Sequence, residues 1–155
     1  MVAEIIKADY SNANHAEDLV HLVNEYARDE MGMGELLDEE VQDHLVDRLS
    51  QMPTAFSLLA YNSRKPVGVA NCFIGFSTFE ARKLVNIHDL AVTPAFRGRG
   101  IGEQLLMAVQ RKAKKLKCCR ITLEVREDNP ARRLYERFGF EEDKPPMWFL
   151  TKELY

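Results

Sequence analysis

"TPAFRGRGIGEQLL", residues 93–106, carries three glycines at alternate positions, Gly98, Gly100 and Gly102, with Arg97 and Arg99 interleaved. The apolar run "KLVNIHDLAV" (83–92) ends directly before it. A helical stripe of Ile101, Leu105, Val109, Ala113 and Leu116 begins directly behind it. Glycines at the mouth of a helix let backbone approach a ligand closely and aim bare amides at it, and the helix dipole favours negative charge there. The stretch therefore predicts an anion site between a strand and a helix.

Working outward, "RITLEVR" (120–126) alternates strictly, with Ile121, Leu123 and Val125 set against Thr122, Glu124 and Arg126. Residues 84–126 thus read strand–helix–strand, which demands a parallel pair joined by a crossover. "DNPARRLYERFGF" (128–140) predicts a helix with Asn129 or Asp128 as cap, Pro130 at its first position and Gly139 as terminator. A last strand is expected in "MWFLTKEL" (147–154), after Pro145 and Pro146. Upstream, "AFSLLAYNS" (55–63) and "PVGVANCFIGFSTF" (66–79) join 83–92 in an antiparallel meander. "EIIKA" (4–8) predicts a short strand. Leu19, Leu22, Val23 and Tyr26 predict a helix capped by Ser11 or Asn12, and Val41, Leu45 and Leu49 a second one between Asp38 and Pro53. The acidic "DEMGMGELLDEE" (29–40) between them reads as a mobile loop. The order is β-α-α-β-β-β-α-β-α-β. It gives an α/β (α+β) fold, a mixed, mostly antiparallel central sheet flanked by helices, in a single domain over 1–155.

Composition agrees with one such domain. At 155 residues and 46% hydrophobic side chains, the chain can bury a core without disulfides or metal. Its apolar runs are far too short to span a membrane, and "MVAEIIKADY" shows no signal-peptide pattern, so a cytoplasmic protein is expected. Cys72, Cys118 and Cys119 make a poor disulfide framework, and the four histidines stand at no metal-ligand spacing with a cysteine. No metal is expected. Net charge is −3, but residues 1–60 balance at −10 and residues 61–155 at +7. Such polarity suggests charged ligands of opposite sign.

Two familiar phosphate loops do not fit residues 93–106. A Walker loop needs Lys-Ser/Thr after its second glycine, whereas Gly102 is followed by Glu103-Gln104. A dinucleotide fingerprint needs a glycine three positions after the second, and residue 103 is Glu. What Arg97-x-x-Gly100-x-Gly102 resembles is the pyrophosphate loop of the GNAT superfamily of acetyl-CoA-dependent N-acetyltransferases. The likeness extends through "NIHDLAVTPAFRGRGIGEQLL" (86–106), similar to that superfamily's fourth strand, cofactor loop and third helix. It continues in "LEVREDNPARRLYERFGFE" (123–141), similar to its fifth strand and fourth helix.

The resemblance implies acetyl-CoA as acyl donor, entering where the fourth and fifth strands splay apart. It implies that the backbone of Gly98, Arg99, Gly100, Ile101 and Gly102, with Arg97 and Arg99 nearby, holds the pyrophosphate. The main chain of Leu90, Ala91 and Val92 would pair with the pantetheine arm, Asn129 would hydrogen-bond it, and Arg132 would lie close. Tyr135 would stand near the thioester sulfur, ready to protonate the departing thiolate; its bland alternative is a core aromatic beside Leu134 and Phe138. The strand resembles that of the diamine (spermidine/spermine) acetyltransferases, but His88 replaces the Glu before Asp89. Histidine titrates near neutrality and suits a general base. His88 as an ordinary strand residue, Glu124 as the base, and a water chain all stay open.

Residues 28–47 carry eight acidic side chains and one basic, a rim expected to favour a cationic small-molecule amine acceptor. A protein lysine or N-terminus, and a non-catalytic acyl-CoA sensor, are the alternatives. "RKAKKLKCCR" (111–120) lacks interleaved aromatics and reads as a solvated helix face, so no nucleic-acid partner is expected. Cys118 and Cys119 stand away from the cofactor motifs, which argues against a covalent mechanism. The resemblance allows a homodimer, which no residue here establishes.

Overall fold

The computed structural model describes residues 1–155. One sheet runs β1 (Glu4–Lys7), β2 (Ala55–Asn62), β3 (Lys65–Ser77), β4 (Arg82–Val92) and β5 (Ile121–Leu123), in that spatial order. The first four strands are antiparallel neighbours, and β4 and β5 are parallel. The helices are α1 (Ala13–Arg28), α2 (Glu39–Ser50), α3 (Ile101–Lys115) and α4 (Arg132–Phe138). None is long and apolar enough to cross a membrane.

Alternation along the strands loads both faces of the sheet. Phe56, Leu58 and Ala60 of β2 point into a core with Ile101, Leu105, Leu106 and Val109 of α3. Leu59 and Val69 point the other way, onto Leu19 and Leu22 of α1 and Val46 and Leu49 of α2. Each fully buried Leu or Val contributes about 1.5–3 kcal/mol by leaving water, and this burial holds the helices on the sheet. Asn12 is the α1 cap: its Oδ1 accepts from the amides of Asn14 and His15. In α2 the buried residues are Val46 and Leu49, with Leu45 packed alongside, while Val41 faces solvent.

Two irregularities shape the sheet's functional end. Asn71 of β3 pairs with Asp89 and Cys72 with Ile87, so His88 is an extra residue on β4, a bulge that re-aims side chains. β5 pairs with β4 only from Val85↔Ile121 to Ile87↔Leu123. Beyond that point residues 88–92 of β4 have no strand on that side, and the two strands part.

The expected strand over 120–126 is therefore cut to residues 121–123, since a strand ends where its neighbour leaves. The last expected strand, residues 147–154, does not form, and this corrects the final β of the predicted order. Met147, Trp148, Phe149 and Leu150 are exposed instead. Their apolar β pattern finds no ladder, because the short β5 presents too little edge to receive it.

Candidate active site

The glycine loop follows β4 through Thr93, a 3₁₀ turn at Pro94–Phe96, and Arg97. Gly98 (φ +72°) and Gly100 (φ +83°) both lie in the left-handed region, which costs a residue with a Cβ about 1–2 kcal/mol. The turn they make leaves the amides of residues 98–103 without any partner in the protein; the first helical bond runs from Gln104 N to Gly100 O. These free donors lie at a helix N-terminus, a place suited to an anion such as phosphate. Gly102 serves differently. A Cβ there would stand 3.0 Å from Leu134 Cδ2, so its bareness lets α3 and α4 pack. The Arg99 guanidinium lies over the Phe96 ring at 5.1 Å.

Where β4 and β5 part, a cavity of about 290 Å³ opens, lined among others by Tyr26, Met31, His88, Leu90, Glu124 and Tyr135. Sequence reasoning names His88, Leu90, Glu124 and Tyr135, and the fold brings them together here from β4, the segment just past β5, and α4. Tyr135 is 8% exposed and packs edge-on against Phe140 with ring centres 5.9 Å apart. It is thus a core aromatic and a cavity residue at once. Burial pushes its hydroxyl up to about 12, with the nearby Tyr26 adding to the effect, so it keeps its proton across the neutral range. His88 is exposed and meets the Phe73 ring edge-on at 5.7 Å. Glu124 accepts a hydrogen bond from Asn86 Nδ2 at 3.4 Å.

The other named residues divide by how they serve. Ala91 and Val92 lie on the open stretch of β4 beside Leu90. Ile101 is buried in the core, so only its main chain faces the loop. Asn129 Oδ1 accepts the Ala131 amide at 2.9 Å, shaping the turn into α4, and the residue also lines the cavity. The Arg132 guanidinium is engaged locally, donating to Glu127 O at 3.1 Å. Arg97 turns away from the glycines: its Nε donates to Val92 O at 3.0 Å and its Nη2 to Asp29 Oδ2 at 2.6 Å.

Sequence reasoning missed Met31 and gave Tyr26 only a place in a core stripe. Tyr26 followed helical periodicity like its neighbours, and nothing local marked it as a cavity residue. Also missed was a polar row crossing the sheet beneath α1. Tyr10 Oη lies 2.8 Å from Ser57 Oγ, Ser57 donates to Asn71 Oδ1 at 2.6 Å, and Asn71 Nδ2 donates to Asp89 Oδ2 at 3.0 Å. The thiols are elsewhere. Cys72 is buried in the core, which pushes it up to about 12, and Cys119 meets Glu80 at the far end of β5.

Residues 8–140 match the family model described as Acetyltransferase (GNAT) family. An uncharacterized N-acetyltransferase of Methanocaldococcus jannaschii is 41% identical over 80 residues, 50% of this chain and 35% of that protein. The [Ribosomal protein bS18]-alanine N-acetyltransferase of Haemophilus influenzae is 36% identical over 73 residues, 46% of this chain and 50% of its own. The matched stretches thus span half or less of these curated relatives. Among solved structures, AAC(6')-Iy in complex with the bisubstrate analog CoA-S-monomethyl-acetylneamine superposes with a TM-score of 0.77 at 19% identity, over 98% of this chain and 99% of the other. That last likeness is one of fold. With the unpaired amides, the parted strands and the family match in agreement, the chain belongs to the acetyltransferase (GNAT) family.

Proposed function

We propose that this protein is an acetyl-CoA-dependent N-acetyltransferase that passes the acetyl group directly to a primary amine, that of a cationic small molecule. One observation carries the reading: a phenol kept protonated and two candidate bases share a cavity that opens on unpaired β4 backbone. The residues present fit coenzyme A. Free amides at 98–103 suit its pyrophosphate. The stretch of β4 at Leu90, Ala91 and Val92, which has no strand neighbour on that side and only its Val92 carbonyl held by Arg97, suits an extended amide-bearing arm, and Asn129 lines the cavity beside it.

Bound acetyl-CoA supplies a thioester, already activated toward an amine, so the chain needs no nucleophile of its own. Its tasks are alignment and proton handling. His88, or Glu124 just past the neighbouring strand, takes the proton from the incoming ammonium, directly or through water. Tyr135 Oη holds the proton needed by the leaving sulfur. The acidic segment 28–47 supports a cationic acceptor, and the likeness in fold to the complex with an acetylneamine-bearing bisubstrate analog is consistent with a small one.

Calorimetry with acetyl-CoA tests the first half of this reading. Binding is expected for the wild type and its loss for Gly100→Val, whose β-branched side chain resists the left-handed turn while leaving the core intact. No heat and no rise in Tm at saturating acetyl-CoA would refute it. Thiol release with a panel of polyamines, aminoglycosides and a peptide with N-terminal alanine tests the second half. Turnover confined to the peptide would replace the small-molecule acceptor with a protein N-terminus.

A further inference from the structure

The two arginines of the glycine loop do different things. Arg99 rests on the Phe96 ring and forms no ion pair, which leaves its charge available to a phosphate. Arg97 is committed. Its Nε holds the last carbonyl of β4, Val92 O, and its Nη2 holds Asp29 Oδ2 at 2.6 Å. Asp29 ends α1, and its other oxygen accepts the Met31 amide at 2.9 Å. Met31 lines the 290 Å³ cavity. An unbroken mechanical path therefore runs from the root of the glycine loop, through one guanidinium and one carboxylate, to the cavity wall opposite.

A second tie comes from the other side of the cleft. Arg126, chelated to Asp128 through Nε at 3.1 Å and Nη2 at 2.8 Å, donates from Nη1 to Glu30 O at 3.2 Å. Residues 29–31 are thus pinned between the segments that follow β4 and β5. The Asp29 side chain is 18% exposed and already satisfied by an amide and a guanidinium. Its carboxyl is held below the usual range by the Met31 amide first and Arg97 second.

We propose that Arg97 is a positioning residue for the acceptor-side wall rather than a ligand of the cofactor's phosphates, and that the Arg97–Asp29 pair sets acceptor fit by fixing Met31. The inference rests on the acetyltransferase reading above. The pair's value is geometric: half of the Arg97 side chain is exposed, and such ion pairs contribute little to global stability. What it secures is the link between the glycine loop's root and a short turn whose other anchors are its own backbone hydrogen bonds and Arg126. Phosphate binding then falls to the backbone amides of the loop and to Arg99.

Two measurements on Arg97→Met and Asp29→Asn test this. Calorimetric Kd for acetyl-CoA is expected to stay within about threefold of wild type in both. Loss of a charge-assisted phosphate contact would weaken it roughly tenfold or more. The acceptor KM is expected to rise about tenfold in both, with kcat changed far less. The double variant should be no worse than either single one, since one pathway has been cut twice. Arg97→Lys, which can still reach Asp29, should recover part of the KM. A general structural defect would lower Tm and kcat together without this split. A tenfold loss of acetyl-CoA affinity in Arg97→Met, or an unchanged acceptor KM, overturns the proposal. If the wild type binds acetyl-CoA but acetylates no amine, the function reading has failed, and the Kd arm still judges whether Arg97 is a phosphate ligand.

Discussion

From Leu90 to Gly102 the chain offers the cleft main-chain groups, an open strand edge and a row of unpaired amides. From Tyr26 to Met31 it offers a phenol, a thioether and a carboxylate clamped by an arginine from the opposite wall. Backbone recognition constrains residue type strongly, because only glycine adopts the conformations of residues 98 and 100 without cost. Side-chain recognition constrains it weakly, since many residues could fill Met31's place. A wall of the first kind suits a ligand that never changes, and a wall of the second kind suits one that differs from relative to relative. Three predictions probe this division, beginning with the residue that serves both walls.

Tyr135 lines the cavity from α4, with Tyr26 of the other wall nearby, so removing its hydroxyl should slow the reaction without loosening either ligand. Tyr135→Phe is expected to lower kcat by about 10²–10⁴-fold, with acetyl-CoA Kd little changed. Because burial raises the phenol from its ordinary 10.0 to about 12, any alkaline limb below pH 10 belongs to another group and should survive the substitution. The linkage has a definite sign. Below pH 10 the folded and unfolded phenols are both protonated and its contribution is intact. Between about pH 10 and 12 the unfolded chain releases the proton first, so stability falls there, and less so in Tyr135→Phe. A pH series of Tm for the two proteins reads this directly.

The base divides the walls more finely, since His88 stands on β4 and Glu124 just past β5. If His88 takes the proton, His88→Ala should lower kcat/KM by about 10²-fold and alter the acidic limb of its pH profile, while Glu124→Gln leaves that limb in place. The reverse pattern assigns the base to Glu124, and two unchanged limbs assign it to water.

The walls also differ in how far they could be read in advance. The glycine loop and the Asn129 turn were legible because local backbone demands fix residue types at fixed spacing, whereas Tyr135 was named only through the family resemblance and its place in the cavity is seen only in the fold. His88 was legible as a candidate, but its bulge was not, since an extra residue on a strand is defined only against its partner, β3. The Arg97–Asp29 contact joins residues far apart in the chain, and neither one's neighbours announce the other. Arg97 looked like a phosphate ligand because of its place beside the glycines, yet its side chain points back along β4. The strand expected over 147–154 failed for a related reason. Its pattern was right for a strand, but a pattern specifies a face and not a partner.

The smallest expected effect concerns the charge of the acceptor wall. Not every carboxylate in residues 28–47 is free to attract a cation. Asp29 is bound to Arg97, and Glu40 faces Arg48 at 3.7 Å. Glu30, Glu35 and Glu39 are exposed, and no ion pair engages them. Changing these three to Gln should raise the KM of a cationic acceptor by roughly threefold, since three exposed charges at about 0.2 kcal/mol each, the low end for exposed charges, sum to about 0.6 kcal/mol. The KM for acetyl-CoA should hardly move, because the cofactor's phosphates are assigned to the amides of the far wall. Salt separates this from a change of shape. Exposed charges are screened over ~8–10 Å at ordinary ionic strength, so added salt should raise the acceptor KM of the wild type more than that of the triple variant. Acetyl-CoA must be saturating throughout, because salt also weakens phosphate binding. An equal salt response, with an unchanged acceptor KM, would make the acidic segment an ordinary solvated surface. Acceptor choice would then rest on the shape of the wall that Tyr26 and Met31 provide.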